Sequence, residues 1–565
     1  MFRRSPTTTV PELFGSFVNN LEGARYTKFT DADSWHNLFR DFITSRVNED
    51  HFRALFTKHT GSPNASIRVL LGMMILKEGF GWSDERLFEA SQFDMLVMSS
   101  LGMTNVNDSL PCAATYYNFK QALYKHQIQT GEDLLGTLFG DLTKEQAKLF
   151  GVNGKFVRMD SKLIGSNICK SSRLQLIISV VQEFYKDLCV QGGRTERMVE
   201  ADRNFLGELM KKKSGQIIYT LDNPGREKLL ETIGYLLLRL QKIYSEKDSE
   251  KYRLLIRVLA EQYSIEGEQV KLKEGKEIKS DTLQSPFDED ATYRQKDEQK
   301  VRGYSVNITE TCDDEALSLI VDAKVETSNT ADNTFLESAI ERSQEVIGQV
   351  ENVNADGAYY SPENENFAKK NGTELVFSGF PGSKGKYTFE VNEGQVTVVN
   401  TQSGEIHKAE EYKPEHYKIK EGSGYRYFTK CMIMSFFNRQ KMEQIPQQIK
   451  NRRNNVEASI FQLSFLTRNN KTRYRGKEQH QQWAFCRTMW LNLKRIKNYM
   501  EEIRPVVNEI EKITGILTKT GILLTNFVCD ALQVALYIGK GSGQKSFSPV
   551  FKLKSFQRTW LKRTN

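Results

Sequence analysis

The hydrophobic period of this chain changes sharply at Phe156, and that change limits what it can fold into. Before it, apolar residues recur at helical spacing, with Ile67, Leu70, Leu71, Met74 and Ile75 on one stripe. From Phe156 they alternate. Val157, Met159, Ser161 and Leu163 fall on one face of a strand, and Arg158, Asp160 and Lys162 on the other. Residues 1–150 therefore read as a helical region, followed by a half-buried strand that carries a carboxylate on its polar face. That order predicts a mixed α/β protein, and 565 residues are too many for one ordinary core, so it is multidomain.

Local signals extend this reading. Gly79-Phe80-Gly81-Trp82 breaks the first stripe, and Ser83 before Asp84 and Glu85 predicts the N-cap of a helix bearing Leu87, Phe88 and Ser91. A further helix opens between Pro111 and Lys120. Helix, glycine turn, helix suits a helix-turn-helix DNA reader and equally a small helical bundle. Residues 172–282 return to helical patterns and read as a helical insertion. Strand patterns resume over 301–309 and 317–323. A helix over 334–349 and a short strand ending at Asp356 follow. Ser361-Pro362 then supplies an N-cap and N1 pair for a helix that Gly372 can close. Residues 376–431 alternate strongly and read as a β-rich insertion. Helix is expected again from about Ile445, and the last 25 or so residues should be loosely ordered.

Charge and cysteine usage exclude several classes. The net charge is +8, a weak hint of a polyanionic partner, and its distribution says more. After Asp530 there is no acid, while Lys540, Lys545, Lys552, Lys554, Arg558, Lys562 and Arg563 follow. Such a tail either binds phosphates or simply keeps the end solvated. The seven cysteines form no Cys-x-x-Cys pair and the seven histidines no His-x₃-His pair, against a zinc ribbon, a disulfide framework or a histidine zinc site. Basic residues near the N-terminus lack a following apolar stretch, so no signal peptide is expected. The longest apolar run, 515–539, is interrupted by Lys519, Asn526, Asp530 and Gln533, so no membrane span is expected and the protein should be cytoplasmic.

Three acids in different settings stand out: Asp160 on the strand, Asp356 before a glycine, and Glu457 on a helix with Lys450 and Arg453 on its side. Singly, each has an ordinary reading: a solvated strand residue, a turn former, and an i,i−4 ion pair with Arg453. Together, two strand-borne aspartates and one helix-borne glutamate can hold hard divalent cations through oxygen.

The sequence around them resembles the bacterial insertion-sequence transposases of the DDE type over most of residues 60–500. The stretches that carry the resemblance are Leu70 to Lys77, Trp82 to Leu87, Leu101-Gly102-Met103, Ser285-Pro286, Asp288, Asp290 to Arg294, Gly303-Tyr304 and, most closely, Asp356-Gly357-Ala358-Tyr359. Arg453 and Glu457 match the family's third-acid pattern, while Lys450 stands where a tyrosine is expected and Ser464 where a lysine is expected. Glu478, in Arg473-Tyr474-Arg475-Gly476-Lys477-Glu478, is the rival third acid.

The resemblance implies a helical N-terminal DNA-binding domain (1–150) and a ribonuclease H-like, mixed-sheet catalytic core (151–171, 283–375 and 432–500). The insertions at 172–282 and 376–431 interrupt that core, and a helical, basic C-terminal region (501–565) follows it. It implies Asp160, Asp356 and Glu457 as catalytic metal ligands for Mg²⁺, with Mn²⁺ as a substitute, and two-metal phosphoryl transfer that cleaves and joins DNA strands. The implied partners are the element's terminal inverted repeats and target DNA, bound as a homodimer in the bacterial cytoplasm. Arg453, Lys450, Lys552, Lys554 and Arg558 are the DNA-binding candidates. A metal-dependent nuclease of the same fold and a catalytically decayed DNA-binding protein are the alternatives.

Overall fold

The computed structural model describes residues 1–5, 16–58, 60–190, 195–296, 298–313, 316–379, 385–392 and 394–519. The basic tail, with Lys552, Lys554 and Arg558, lies outside the described residues.

A mixed sheet forms the centre. Its strands are β1 (Phe156–Gly165), β2 (Gln299–Thr311), β3 (Ile320–Thr327), β4 (Asn352–Ala355) and β5 (Glu374–Phe377), in the order β3-β2-β1-β4-β5. β2 runs antiparallel to β1 and β3, while β1, β4 and β5 run parallel. A short strand, Thr292–Lys296, pairs with the first residues of β2. The parallel steps need crossovers, and helices supply them. Leu336–Ile347 joins β3 to β4, and Pro362–Asn371 joins β4 to β5. The second starts as its sequence predicts: the Ser361 hydroxyl accepts from the Asn364 N–H, Pro362 sits in the first turn, and Gly372 closes the helix at φ +70°.

Both faces of the sheet are covered. Val157, Met159, Val353 and Ala355 pack with Leu336, Ala339 and Ile340. On the other face Ile164, Val306 and Ile308 meet Val456, Ile460 and Leu463, together with the helical N-terminal region. Two details of the strand differ from its alternating pattern. Leu163 is only half-buried while Ile164 is fully buried, and Arg158 is buried although it lies on the polar face. β4 pairs with β1 only over Phe156–Arg158, so the layer that buries Val157 and Met159 has ended by Leu163.

Helix α1 (Ile67–Phe80) is buried along almost its whole length in the N-terminal region. Gly79 allows it to lie against Trp490, because a Cβ there would collide with the indole. α1 ends at Gly81 with φ +68°, and the Ser83 hydroxyl then caps α2 (Asp84–Phe93) at Arg86 N. With α1 buried and Glu85, Arg86 and Glu89 on the exposed side of α2, this pair fits a helical bundle better than a groove reader.

Helix α3 (Asn454–Ser464) packs on β1, and the long helix α4 (Lys477–Lys519) runs along the edge of β3. Two side-chain amides of α4 satisfy that edge. Gln481 accepts from Val325 N and donates to Ala323 O, and Asn492 does the same for Ile320 N and O. About three helical turns separate the two amides, so the helix closes an edge that would otherwise be open to strand pairing.

The two insertions have separate cores. Helices from Arg173–Val190 to Glu250–Gln262 enclose Ile177, Phe184, Leu236 and Leu255. They end in a hairpin, Tyr263–Glu266 with Gln269–Leu272, which the helical reading did not include; Gly267 at φ +65° turns it. Two three-stranded antiparallel sheets within Tyr387–Thr429 enclose Phe389, Val398 and Phe428. The next helix begins at Lys430 rather than near Ile445, capped by the Thr429 hydroxyl, and Pro446 separates it from the helix Gln447–Asn451. No helix among the described residues is long and apolar enough to cross a membrane.

Candidate functional site

β1 and β4 pair only as far as Arg158 and Asn354, and two of the three acids follow just beyond that point. Asp160 lies two residues beyond Arg158 on β1. Asp356 lies two residues beyond Asn354, the register partner of Arg158. Equal parity places both on the face that α3 covers. Glu457 is in the first turn of α3, whose inner side buries Val456, Ile460 and Leu463.

One guanidinium meets all three carboxylates. Arg453 Nη2 lies 3.5 Å from Asp160 Oδ2 and 3.4 Å from Asp356 Oδ2, and Nη1 lies 3.9 Å from Glu457 Oε1. The distances are long for charge-assisted hydrogen bonds, and the buried Arg453 Nε has no partner among the described residues. Three carboxylates around one cation leave an excess of negative charge. Burial raises the Asp160 pKa above the ordinary aspartate value; Arg453 and the Ser161 N–H oppose the rise, and Asp356 adds a little to it. Asp356 and Glu457 are more open, with side chains 43% and 65% exposed.

A second acid–arginine network fixes the frame around this cluster. Glu310 on β2, fully buried, accepts from Arg158 Nε at 2.6 Å and from Arg495 Nη2 at 2.6 Å. Arg158 also donates to the Arg452 carbonyl, next to Arg453, and Arg495 to the Ser459 hydroxyl on α3. Burial alone would raise the Glu310 pKa, but Arg495 and Arg158 bring it below the ordinary glutamate value. β1, β2, α3 and α4 are thereby tied at one point. Arg487 ties α3 to the N-terminal region, donating to the carbonyls of Gln462 and Leu463 at the end of α3 and of Glu78 and Gly79 at the end of α1. These residues carried no local signal, since a buried arginine looks like any other charged residue in sequence. Tyr359 was within reach: it ends the Asp356-Gly357-Ala358-Tyr359 motif, is buried, and donates to Asn307 Oδ1, anchoring the turn that presents Asp356.

The other candidates separate clearly. Glu478 sits in the first turn of α4, where its charge bears on Tyr304. Tyr304 pairs with Ile164, four residues beyond Asp160, so Glu478 faces the far end of β1. Lys450 lies one turn before Arg453, its carbonyl accepting from Arg453 N. Ser464 is buried and bonded to the Ile460 carbonyl.

Oxygen donors suit a hard divalent ion, and the Arg453 guanidinium marks where positive charge is accepted. Among the described residues no three acidic, histidine or cysteine side chains are close enough to hold one ion as they stand. A cavity of about 900 Å³ lies elsewhere, beyond Gly165 at the far end of β1.

Comparison with curated proteins and with solved structures gives no match. Residues 26–122, from the first helices through Tyr116 and Phe119, match the family model of a transposase domain (DUF772). That region contains α1, whose last carbonyls Arg487 binds, and the match supports a transposase family for this chain.

Proposed function

We propose that this protein is a DDE-type DNA transposase with a ribonuclease H-like core, and that Asp160, Asp356 and Glu457 form its metal-dependent centre. The observation that carries the reading is the convergence of these acids on the single Arg453 guanidinium, which lies 97 residues after Asp356 in the chain. Mid-strand Asp160, Asp356 at the end of a neighbouring parallel strand, and a helix-borne glutamate beside them are the placement that such a core requires. The transposase-domain match supports it independently.

Bound Mg²⁺, or Mn²⁺ in its place, would supply the charge that activates an attacking oxygen and stabilises the departing one. The protein's own part is positional. Asp160, held by its strand and by the Ser161 N–H, is the most constrained ligand; Asp356 is presented by the turn that Tyr359 anchors. Glu457, on the exposed side of α3, is free to adjust. Arg453, once released from the carboxylates, is placed to pair with a DNA phosphate, and Lys450 precedes it by one turn.

Mg²⁺-dependent cleavage of a plasmid carrying the DNA that flanks this gene tests the proposal, with strand transfer scored in the same reaction. Wild-type protein should cleave and join. Asp160→Asn should still bind DNA and do neither; near-normal cleavage by that variant would remove the assignment. Cleavage without joining would select the nuclease reading.

A further inference from the structure

We propose that the exposed side of α3 and the basic groove beyond β1 form one track for DNA with unpaired bases, in which Phe461 and Phe465 stack against the bases. The inference rests on the reading of Asp160, Asp356 and Glu457 as a DNA-cleaving centre, and extends it to the form of DNA that is bound.

The first observation is a row on α3. Arg453, Glu457, Phe461 and Phe465 follow one another at four-residue spacing, so they lie on one side of the helix. Phe461 and Phe465 are 58% and 65% exposed, with ring centroids 5.4 Å apart. Two large aromatic rings in contact with each other and facing solvent form a sequence-tolerant stacking platform for bases. They share a helix face with the residues that touch the aspartates.

The second observation is charge. Leu466, next to Phe465, forms part of the wall of the 900 Å³ cavity, and Lys170, Lys300 and Arg468 line it as exposed cations. Glu298 is the exposed acid among the lining residues; Glu78 accepts the Tyr474 hydroxyl. Arg468 opens a tight turn in which Asn469 and Asn470 both have positive φ, 55° and 54°, and Lys471 N returns to Arg468 O. Two consecutive non-glycine residues with positive φ are uncommon, and they give the tight two-residue turn at the rim.

The third observation is alignment. Gly165 N donates to Asn470 O, so the end of β1 and the segment after α3 meet at the groove. From Asp160 to Gly165 the strand advances about 16 Å, and α3 covers about the same distance from Arg453 to Ser464. Strand and helix thus run side by side from the carboxylates to the groove. Phosphates would follow the cations while bases lean on the phenylalanines. The chain's own tail does not fit this groove, because after Asp530 it is basic and carries no acid. A second copy of a protein with net charge +8 is disfavoured for the same reason.

The test uses the full chain and two fluorescent probes at the same ionic strength: a 12-nucleotide single strand and a duplex of equal length. Phe461→Ala with Phe465→Ala should weaken single-strand binding at least tenfold, leave duplex binding within about twofold, and keep the melting temperature. Lys170→Ala, Lys300→Ala and Arg468→Ala together should reduce the salt slope of single-strand binding by about 2, at roughly 0.7 per phosphate contact. Unchanged single-strand affinity in the phenylalanine variant, or equal losses on both probes, overturns the proposal. A shift from dimer to monomer on sedimentation with unchanged DNA binding overturns it too, and makes the platform a self-association surface. Cleavage that survives in Asp160→Asn would sink the active-site reading, whatever the phenylalanines do.

Discussion

Two acid–arginine networks lie one strand position apart on the same face of the sheet, with inverse stoichiometry. Around Glu310, one carboxylate serves two guanidinium groups at 2.6 Å, and the carboxylate is fully buried. Around Arg453, one guanidinium is shared by three carboxylates at 3.4–3.9 Å, and two of the three are open to solvent. The first is geometrically satisfied and joins four elements. The second has three carboxylates to one guanidinium at longer distances, the arrangement expected of the proposed metal centre rather than of a structural tie. Residue types alone do not distinguish them; ratio, distance and exposure do.

The largest expected effect is on the charge-rich network. Asp160→Asn or Asp356→Asn should lower Mg²⁺-dependent cleavage roughly 10⁴-fold, about 5 kcal/mol of transition-state stabilisation, while chemical denaturation shows no loss of stability. A variant that unfolds more readily would make these residues part of the frame instead.

Next comes the paired network. Glu310→Ala leaves two buried guanidinium groups without their carboxylate and should cost about 3–5 kcal/mol in urea unfolding. A change below about 1 kcal/mol would show that the triad does not hold α3 in place.

The pH response should have opposite signs in the two networks. Glu310 has its pKa lowered in the fold, so its contribution is present above the ordinary value of 4.5 and is lost as pH falls through the folded value. Asp160 has its pKa raised, so its contribution is present below the ordinary value of 3.8 and is lost as pH rises through the folded value. Asp160→Asn should therefore become more stable than wild type as pH rises through that window, with the difference vanishing in acid. Melting temperatures across the window that move the other way would reverse the assignment of strain.

The smallest effect is expected at Arg453. Arg453→Gln removes weak, partly exposed pairs, so stability should change by less than about 1 kcal/mol. Calorimetric Mn²⁺ affinity should rise, because the competing cation is gone. Weaker Mn²⁺ binding in this variant would mean that Arg453 orients the ligands rather than occupying their site.

Much of this was legible in the sequence, for identifiable reasons. The period change at Phe156 fixed β1 and the parity of Asp160, and the Asp356-Gly357 turn and the Ser361-Pro362 cap are local signals that the structure reproduces. Glu457, preferred over Glu478 from the order of motifs, shares Arg453 with both aspartates, while Glu478 lies toward the other end of β1. What could not be read depends on contacts distant in the chain. Arg158 looks like a solvated strand residue until Glu310, 152 positions away, meets it. The same holds for Arg487, which joins α3 to α1, and for Gln481 and Asn492, which close the edge of β3. The exposure of Phe461 and Phe465 was hidden too, because their spacing suits a core stripe equally well.

Anomalous scattering from a crystal soaked in Mn²⁺ would decide whether the three acids hold a metal. Mn²⁺ is expected at Asp160 and Asp356, within reach of Glu457, with the Arg453 guanidinium displaced from its place between them. A map with Arg453 still bridging the three carboxylates and no Mn²⁺ at the aspartates, at a concentration that supports DNA cleavage, would contradict it.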